Sequence, residues 1–145
     1  MKFLINFIVI LFSTKAACVS SHKANIRAEA QASSQLITTL RKYTPISILE
    51  TKSNWLKVKG YNFEGWIYNS LIDTSYNCMT IKKMSNLACS TYGKTIKREV
   101  SYLENFKIIR MKIGCNYVQD QYGKRYWISN LGTTSSSSTK LINIQ

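Results

Sequence analysis

Residues able to do chemistry are few and widely spaced in this sequence. It has one histidine, His22, four cysteines at 18, 78, 89 and 115, and seven acidic residues. An activated nucleophile needs a base beside it, and His22 has no second histidine to complete a Cys–His arrangement at another site. A lone histidine near the front of a chain is more often a solvated residue than a catalytic base. The acids occur singly, without the neighbouring carboxylates that would suggest glycoside hydrolysis. No Gly-rich phosphate loop and no pair of Cys or His at zinc spacing is present. The sequence therefore predicts a protein that is not an enzyme and needs no metal or cofactor.

Charge and aromatic content point to binding. Twenty Lys and Arg stand against seven Asp and Glu, a formal charge of +13. The basic residues recur on strands and turns, from Arg41, Lys42, Lys52, Lys57 and Lys59 to Lys107, Arg110, Lys112, Lys124 and Arg125. Most of them belong to a solvated face, yet the excess is larger than solubility requires. Such a field draws in polyanions. Acidic wall polymer, a membrane surface and nucleic acid all fit it electrostatically.

The first seventeen residues, MKFLINFIVILFSTKAA, read as an address. Lys2 gives a positive start, Phe3 to Phe12 is apolar except for Asn6, and small residues follow, the layout of a secretory signal peptide, with a buried strand at the start of a domain as the alternative. The apolar run is about half the length needed to span a bilayer. The leader is assigned to 1–20, with cuts after Ala16, Cys18 or Ser20 all open. Cys18 also resembles the acylated cysteine of a lipoprotein signal, but Lys15 stands where an aliphatic residue is wanted, so simple cleavage is favoured. An exported protein, periplasmic or extracellular, follows, and export makes nucleic acid the least favoured partner. Without Lys2 and Lys15 the charge falls from +13 to +11, since all seven acids lie further on.

Behind the leader the pattern is all-β. Nine Tyr, five Phe and three Trp, with abundant Ile, Val and Thr, favour pleated, half-buried surfaces. Short strands are expected at 25–27, 35–40, 45–50 (PISILE), 55–59 (WLKVK) and 63–68 (FEGWIY), separated by polar or Gly-containing turns. Trp55 to Lys59 alternates apolar and basic residues, as an antiparallel strand with one wet face should. No stretch of this unit keeps a helical period over three turns.

These residues resemble the bacterial SH3 (SH3b) family. The ordered features are Ala24-Asn25-Ile26-Arg27, the Leu36-Ile37 pair before the basic turn to Lys42, the ISIL strand, Trp55 to Val58, Gly65-Trp66-Ile67 and a final Leu71. The loop after Arg27, AEAQASS, departs from the family's Gly-Pro-rich pattern. The template recurs about 60 residues on, and internal repeats mark repeated units. Ser85-Asn86-Leu87 matches Ala24-Asn25-Ile26, and Phe106 to Ile109 matches Ile46 to Leu49. Asn116-Tyr117-Val118 matches Leu56-Lys57-Val58, and Tyr126-Trp127-Ile128 matches Gly65-Trp66-Ile67. Asn130-Leu131 matches Ser70-Leu71. In this degenerate copy Ala88 replaces the Arg and Cys115 the first Trp. The alternative is an unrelated β-rich extension. The expected organisation is a leader (1–20), a first SH3b-like domain (21–72), a linker (73–80), a degenerate second domain (81–132) and a disordered tail (133–145).

The resemblance implies two tandem small SH3-like β-barrels and a ligand groove beside the first long loop. Tyr43, Trp55, Tyr61 and Tyr68 are the candidate aromatic contacts, with Arg27 as a polar partner, while Trp66 is assigned to the core. Tyr92, Tyr117 and Tyr122 are weaker equivalents in the second copy. The implied ligand is peptidoglycan or another envelope polymer or peptide. Two alternatives stay open, a protein–protein adaptor and a non-catalytic partner of a wall hydrolase. Surface association with a membrane through basic charge is also open. In an SH3-like barrel Cys89 and Cys115 approach each other, which implies that pair as a disulfide and leaves Cys78 unpaired or joined to Cys18. Three buried free thiols are the alternative.

Overall fold

A computed structural model describes residues 14–82, 89, 100–129 and 133–135 of the 145. The described residues form two antiparallel sheets, one per unit, and contain no α-helix. Seven strands build the first sheet: β1 (Lys15–Val19), β2 (Lys23–Arg27), β3 (Leu36–Arg41), β4 (Pro45–Lys52), β5 (Trp55–Gly60), β6 (Phe63–Tyr68) and β7 (Ile72–Asp73). Their order is β3-β2-β6-β5-β4-β1-β7, with a 3-10 turn, Asn69–Leu71, between β6 and β7. The second sheet holds β8 (Asn77–Ile81), β9 (Asn105–Lys112), β10 (Cys115–Gln119), β11 (Arg125–Ser129) and β12 (Thr133–Ser135), in the order β11-β10-β9-β8-β12.

Alternation places the core. On β2, Ala24 and Ile26 are buried while Lys23 and Asn25 face solvent. On β5, Leu56 and Val58 are buried between more exposed neighbours. These side chains join Ala17, Val19, Leu40, Ile46 and Ile67 in one cluster. Met79, Ile81, Phe106, Ile108, Val118, Tyr126 and Ile128 form a separate cluster in the second unit. A Cβ on Gly65 would lie 2.6 Å from Ile26 Cγ2 and 2.7 Å from the Arg27 carbonyl oxygen, so only glycine lets β6 run this close to β2.

The second unit repeats the hydrogen-bonding scheme of the first. β6-β5-β4-β1-β7 corresponds strand for strand to β11-β10-β9-β8-β12. Leu56 pairs with Ile67 and Asn116 with Ile128; Lys57 pairs with Trp66 and Tyr117 with Trp127. Each β-hairpin carries its bulge at the same place, between the Ile48 and Glu50 pairings and between the Ile108 and Arg110 pairings. Even the turn before the long strand recurs. Tyr43 N–H donates to the Val19 carbonyl (2.7 Å) with φ +66°, and Leu103 N–H donates to that of Ile81 (2.8 Å) with φ +61°. The repeat register expected from the sequence for 106–109, 116–118 and 126–128 is the register found. Residues 85–88, 92 and 130–131 lie outside the described residues.

Three expected boundaries move. Lys15–Val19, inside the segment assigned to the leader, is a strand between β4 and β7, and Ala17, Cys18 and Val19 are buried. Small apolar residues read as a cleavage region because they are small; here the same property lets them fill a core slot. The sulfur of Cys18 is bonded to Cys78, which excludes acylation of that sulfur in this state. The expected linker at 73–80 is largely strand, because Cys78 to Ile81, apolar except for Thr80, is buried in the second sheet. Thr133–Ser135, expected in the tail, pairs with β8 through backbone bonds that need no apolar side chain.

The units are tied together. Besides Cys18–Cys78, the ring of Tyr76 meets that of Tyr43 edge to face at 5.9 Å. Asn105 Nδ2 donates to Thr44 Oγ1 at 3.0 Å. Burial, with the nearby Asp73 and Tyr43, pushes the Tyr76 phenol up to about 12. The second disulfide, Cys89–Cys115, is the pairing the resemblance implied.

Candidate ligand groove

Three of the five candidate ligand residues come together. Trp55 opens β5 and Tyr68 ends β6, and the strand register sets them opposite each other. Their rings meet edge to face, 5.5 Å between centroids and 80° between planes, a favoured aromatic geometry. Tyr68 remains 39% exposed, so its ring presents a face to solvent. Arg27 sits at the end of β2 and is held by its loop: its guanidinium donates to the Ser34 carbonyl at 2.7 Å. The loop braces itself through Glu29 N–H to Ser34 Oγ (2.8 Å), Ala28 N–H to the Gln35 carbonyl (2.9 Å) and Gln31 N–H to the Glu29 carbonyl (2.8 Å). The AEAQASS sequence thus makes a closed loop from side-chain and backbone bonds in place of Gly and Pro.

Between this loop and the aromatic pair lies a groove of about 580 Å³, lined by Arg27, Gln31, Ala32, Trp55, Tyr68 and Leu71, with Lys23 and Asn25 from the wet face of β2. It offers an apolar ring surface, amide and guanidinium donors, and a cation at its rim. That set is chemically complementary to a polar ligand with at least one flat apolar face. Lys23 and Gln31 were not singled out from the sequence, and Leu71 was noted only as the closing residue of the family pattern. The alternation on β2 was the available signal for Lys23; the loop side chains had none.

The other two candidates lie elsewhere. Tyr43 is 4% exposed and packs against Tyr76 and the Cys18–Cys78 bond, so its ring is not open to a ligand. The resemblance implied a ligand contact for it, but Tyr76 at the start of the second unit covers it. Tyr61 is in the β5–β6 turn, at the opposite end of those strands from Trp55. It lines a separate inter-unit groove of about 1220 Å³ with Arg41, Lys59, Lys82, Tyr102 and Tyr122. The Tyr61 and Tyr102 hydroxyls are 3.4 Å apart, and Lys82 Nζ lies 4.4 Å from the Tyr61 ring centroid. The Tyr102 hydroxyl, Asn62 and the Lys82 charge hold the Tyr61 phenol below its ordinary range.

In the second unit the corresponding positions hold no such pair. Cys115 stands at the Trp55 position and Ser129 at the Tyr68 position. The Tyr117 and Trp127 rings meet tilted by 35° with centroids 5.1 Å apart, but in the register of Lys57 and Trp66. The buried Asp120 is structural: it accepts from the Tyr122 and Lys124 N–H groups and from the Tyr126 hydroxyl, closing the β10–β11 turn. Trp66, assigned to the core, is 8% exposed.

Residues 22–73 match the family described as bacterial SH3 domain. The first unit is a bacterial SH3 domain. Its match begins at His22, after β1, and ends at Asp73, so β1 is an addition to the matched segment that the SH3 sheet accepts beside β4. No curated protein matches the chain. Among solved structures, NlpC1 from Trichomonas vaginalis is similar at 11% identity and a TM-score of 0.41, over 86% of this chain and 47% of that one. NlpC2 from the same organism is similar at 12% identity and a TM-score of 0.36, over 85% and 48%. The chain spans about half the length of either.

Proposed function

We propose that the SH3 domain is a non-catalytic binding module for a cell-wall polymer, and that the second unit is a divergent copy kept for support and surface. The observation that carries this reading is the groove that unites Arg27 with the Trp55–Tyr68 pair. A sugar or stem peptide stacks an apolar face on such rings while its polar edge meets the amide and guanidinium donors. The net charge of +13 fits an acidic polymer and speeds encounter with it. The two disulfides fit an oxidising, extracytoplasmic compartment. Binding without reaction fits the solvated His22 and the occupied carboxylates of Asp73 and Asp120. The test is co-sedimentation with purified wall sacculi. The protein should pellet, less so at high salt, and Trp55→Ala should weaken pelleting about tenfold, the loss of one aromatic anchor. Absence of pelleting at low salt removes the reading.

A protein-adaptor reading rests on the other groove. Arg41, Lys59 and Lys82 beside Tyr61, Tyr102 and Tyr122 suit an acidic peptide. It predicts a cross-linked protein partner, lost in Tyr102→Ala, and no affinity for sacculi. Clearing of wall substrate by the chain alone would contradict both readings.

A further inference from the structure

The repeat register exposes a difference at the tip of the β9–β10 hairpin. In the SH3 domain the equivalent β4–β5 tip reads Glu50-Thr51-Lys52-Ser53-Asn54, all polar. In the second unit it reads Arg110-Met111-Lys112-Ile113-Gly114. Met111 is 53% exposed and Ile113 is 96% exposed, so two large apolar side chains project where the first unit has the hydroxyls of Thr51 and Ser53. The turn geometry has changed to permit this. The SH3 turn takes its positive φ at Ser53 (+54°), the first central residue; the second unit takes it at Gly114 (+78°), the second. That shift leaves Ile113 at ordinary φ, which a β-branched residue requires.

The chemistry of the tip is amphipathic. Along β9 successive side chains point to opposite faces, so Arg110 and Lys112 share one face, Met111 takes the other, and Ile113 stands at the apex. All four are exposed. A narrow apolar apex flanked by cations has the charge complement of an anionic bilayer. Its apolar end enters the headgroup layer while the cations stay with the phosphates.

We propose that the β9–β10 hairpin docks the second unit on anionic lipid surface, with Ile113 and Met111 inserted and Arg110 and Lys112 against lipid phosphates. This goes beyond wall binding, uses no residue of the groove, and gives the second unit a task of its own. The test is sedimentation of the full chain with vesicles of phosphatidylcholine alone or mixed with phosphatidylglycerol. The protein should pellet with the mixed vesicles and not with phosphatidylcholine alone. Ile113→Asp with Met111→Ser should lower the partition tenfold or more, since it removes the inserted apolar area. Arg110→Gln and Lys112→Gln should each lower it about fivefold. Lys52→Gln in the SH3 hairpin should cost less than either. The tip variants should keep the parent unfolding temperature and affinity for sacculi, because the altered side chains lie outside both cores. In Ile113→Trp the new indole should shift its emission to the blue with mixed vesicles. Equal partition of parent and tip variant overturns the proposal. So does concentration-dependent self-association, without vesicle binding, that the tip variant abolishes; the tip then contacts a second copy.

Discussion

Where the SH3 domain carries Trp55 facing Tyr68, the second unit carries Cys115 facing Ser129. Where the SH3 domain carries Ser53 and Asn54 at a hairpin turn, the second unit carries Ile113 and Gly114. The strand scheme, the bulge and the positive-φ turn before the long strand are common to both. What differs is therefore which side chains a shared backbone displays. One unit has invested its aromatic residues in a groove. The other has replaced the groove's anchor with a disulfide and moved its apolar surface to a tip. A backbone held by main-chain hydrogen bonds and a small core tolerates such exchange at its rim, because rim side chains contribute little to stability.

Several substitutions sharpen or break that contrast. The largest effect belongs to the bond joining the units. Cys18→Ser with Cys78→Ser opens a cross-link of 60 residues and should cost about 4 kcal/mol on the loop-entropy estimate. Cys89→Ser with Cys115→Ser, 26 residues apart, should cost about 3.5 kcal/mol. If the first pair unfolds only one unit in denaturant, the units are less coupled than Tyr43–Tyr76 packing implies. Asp120→Ala removes the acceptor for three donors at the β10–β11 turn. It should destabilise the second unit by about 3 kcal/mol, read as a fall in its unfolding midpoint.

Asn116 is a sharper case, since Leu56 holds its place in the SH3 domain. Asn116 is buried, its Nδ2 reaches only the Met79 sulfur at 3.7 Å, and its Oδ1 has no partner among the described residues. Asn116→Leu should stabilise the second unit by about 1–2 kcal/mol. A fall in the melting temperature would mean the two cores are packed differently at this layer. The smallest effect is on alkaline stability. The Tyr76 phenol is raised to about 12 in the folded chain, so the unfolded state ionises first, near its ordinary 10. Stability is whole below pH 10 and falls between pH 10 and 12. Tyr76→Phe should flatten that slope in a denaturant series.

Much of the SH3 fold was legible because its strands advertise themselves. WLKVK and FEGWIY alternate cleanly, and Gly65 marks the crossing with β2. The repeat was legible through Val58 and Val118, Trp66 and Trp127, which keep their register. β1 was legible only as the alternative to a leader, because Ala16-Ala17-Cys18-Val19 carries the small apolar residues of a processing site and of a buried strand alike. At the groove, Arg27, Trp55 and Tyr68, candidates through the family resemblance, line one cleft because each sits at a strand end beside one loop. Tyr43 and Tyr61 lie apart from that cleft, because burial between units and the far end of a hairpin are long-range properties. Local sequence does not encode them.

The account stands or falls on whether ligand enters the SH3 groove and leaves the matching place in the second unit empty. Amide and side-chain NMR shifts, followed while soluble wall fragments are added, test this directly. The Trp55 indole, the Gln31 amide and Tyr68 should move in concert, while Cys115, Ser129 and the Tyr117–Trp127 pair stay still. Shifts gathered in the second unit, or at Tyr61 and Tyr102 alone, would contradict it.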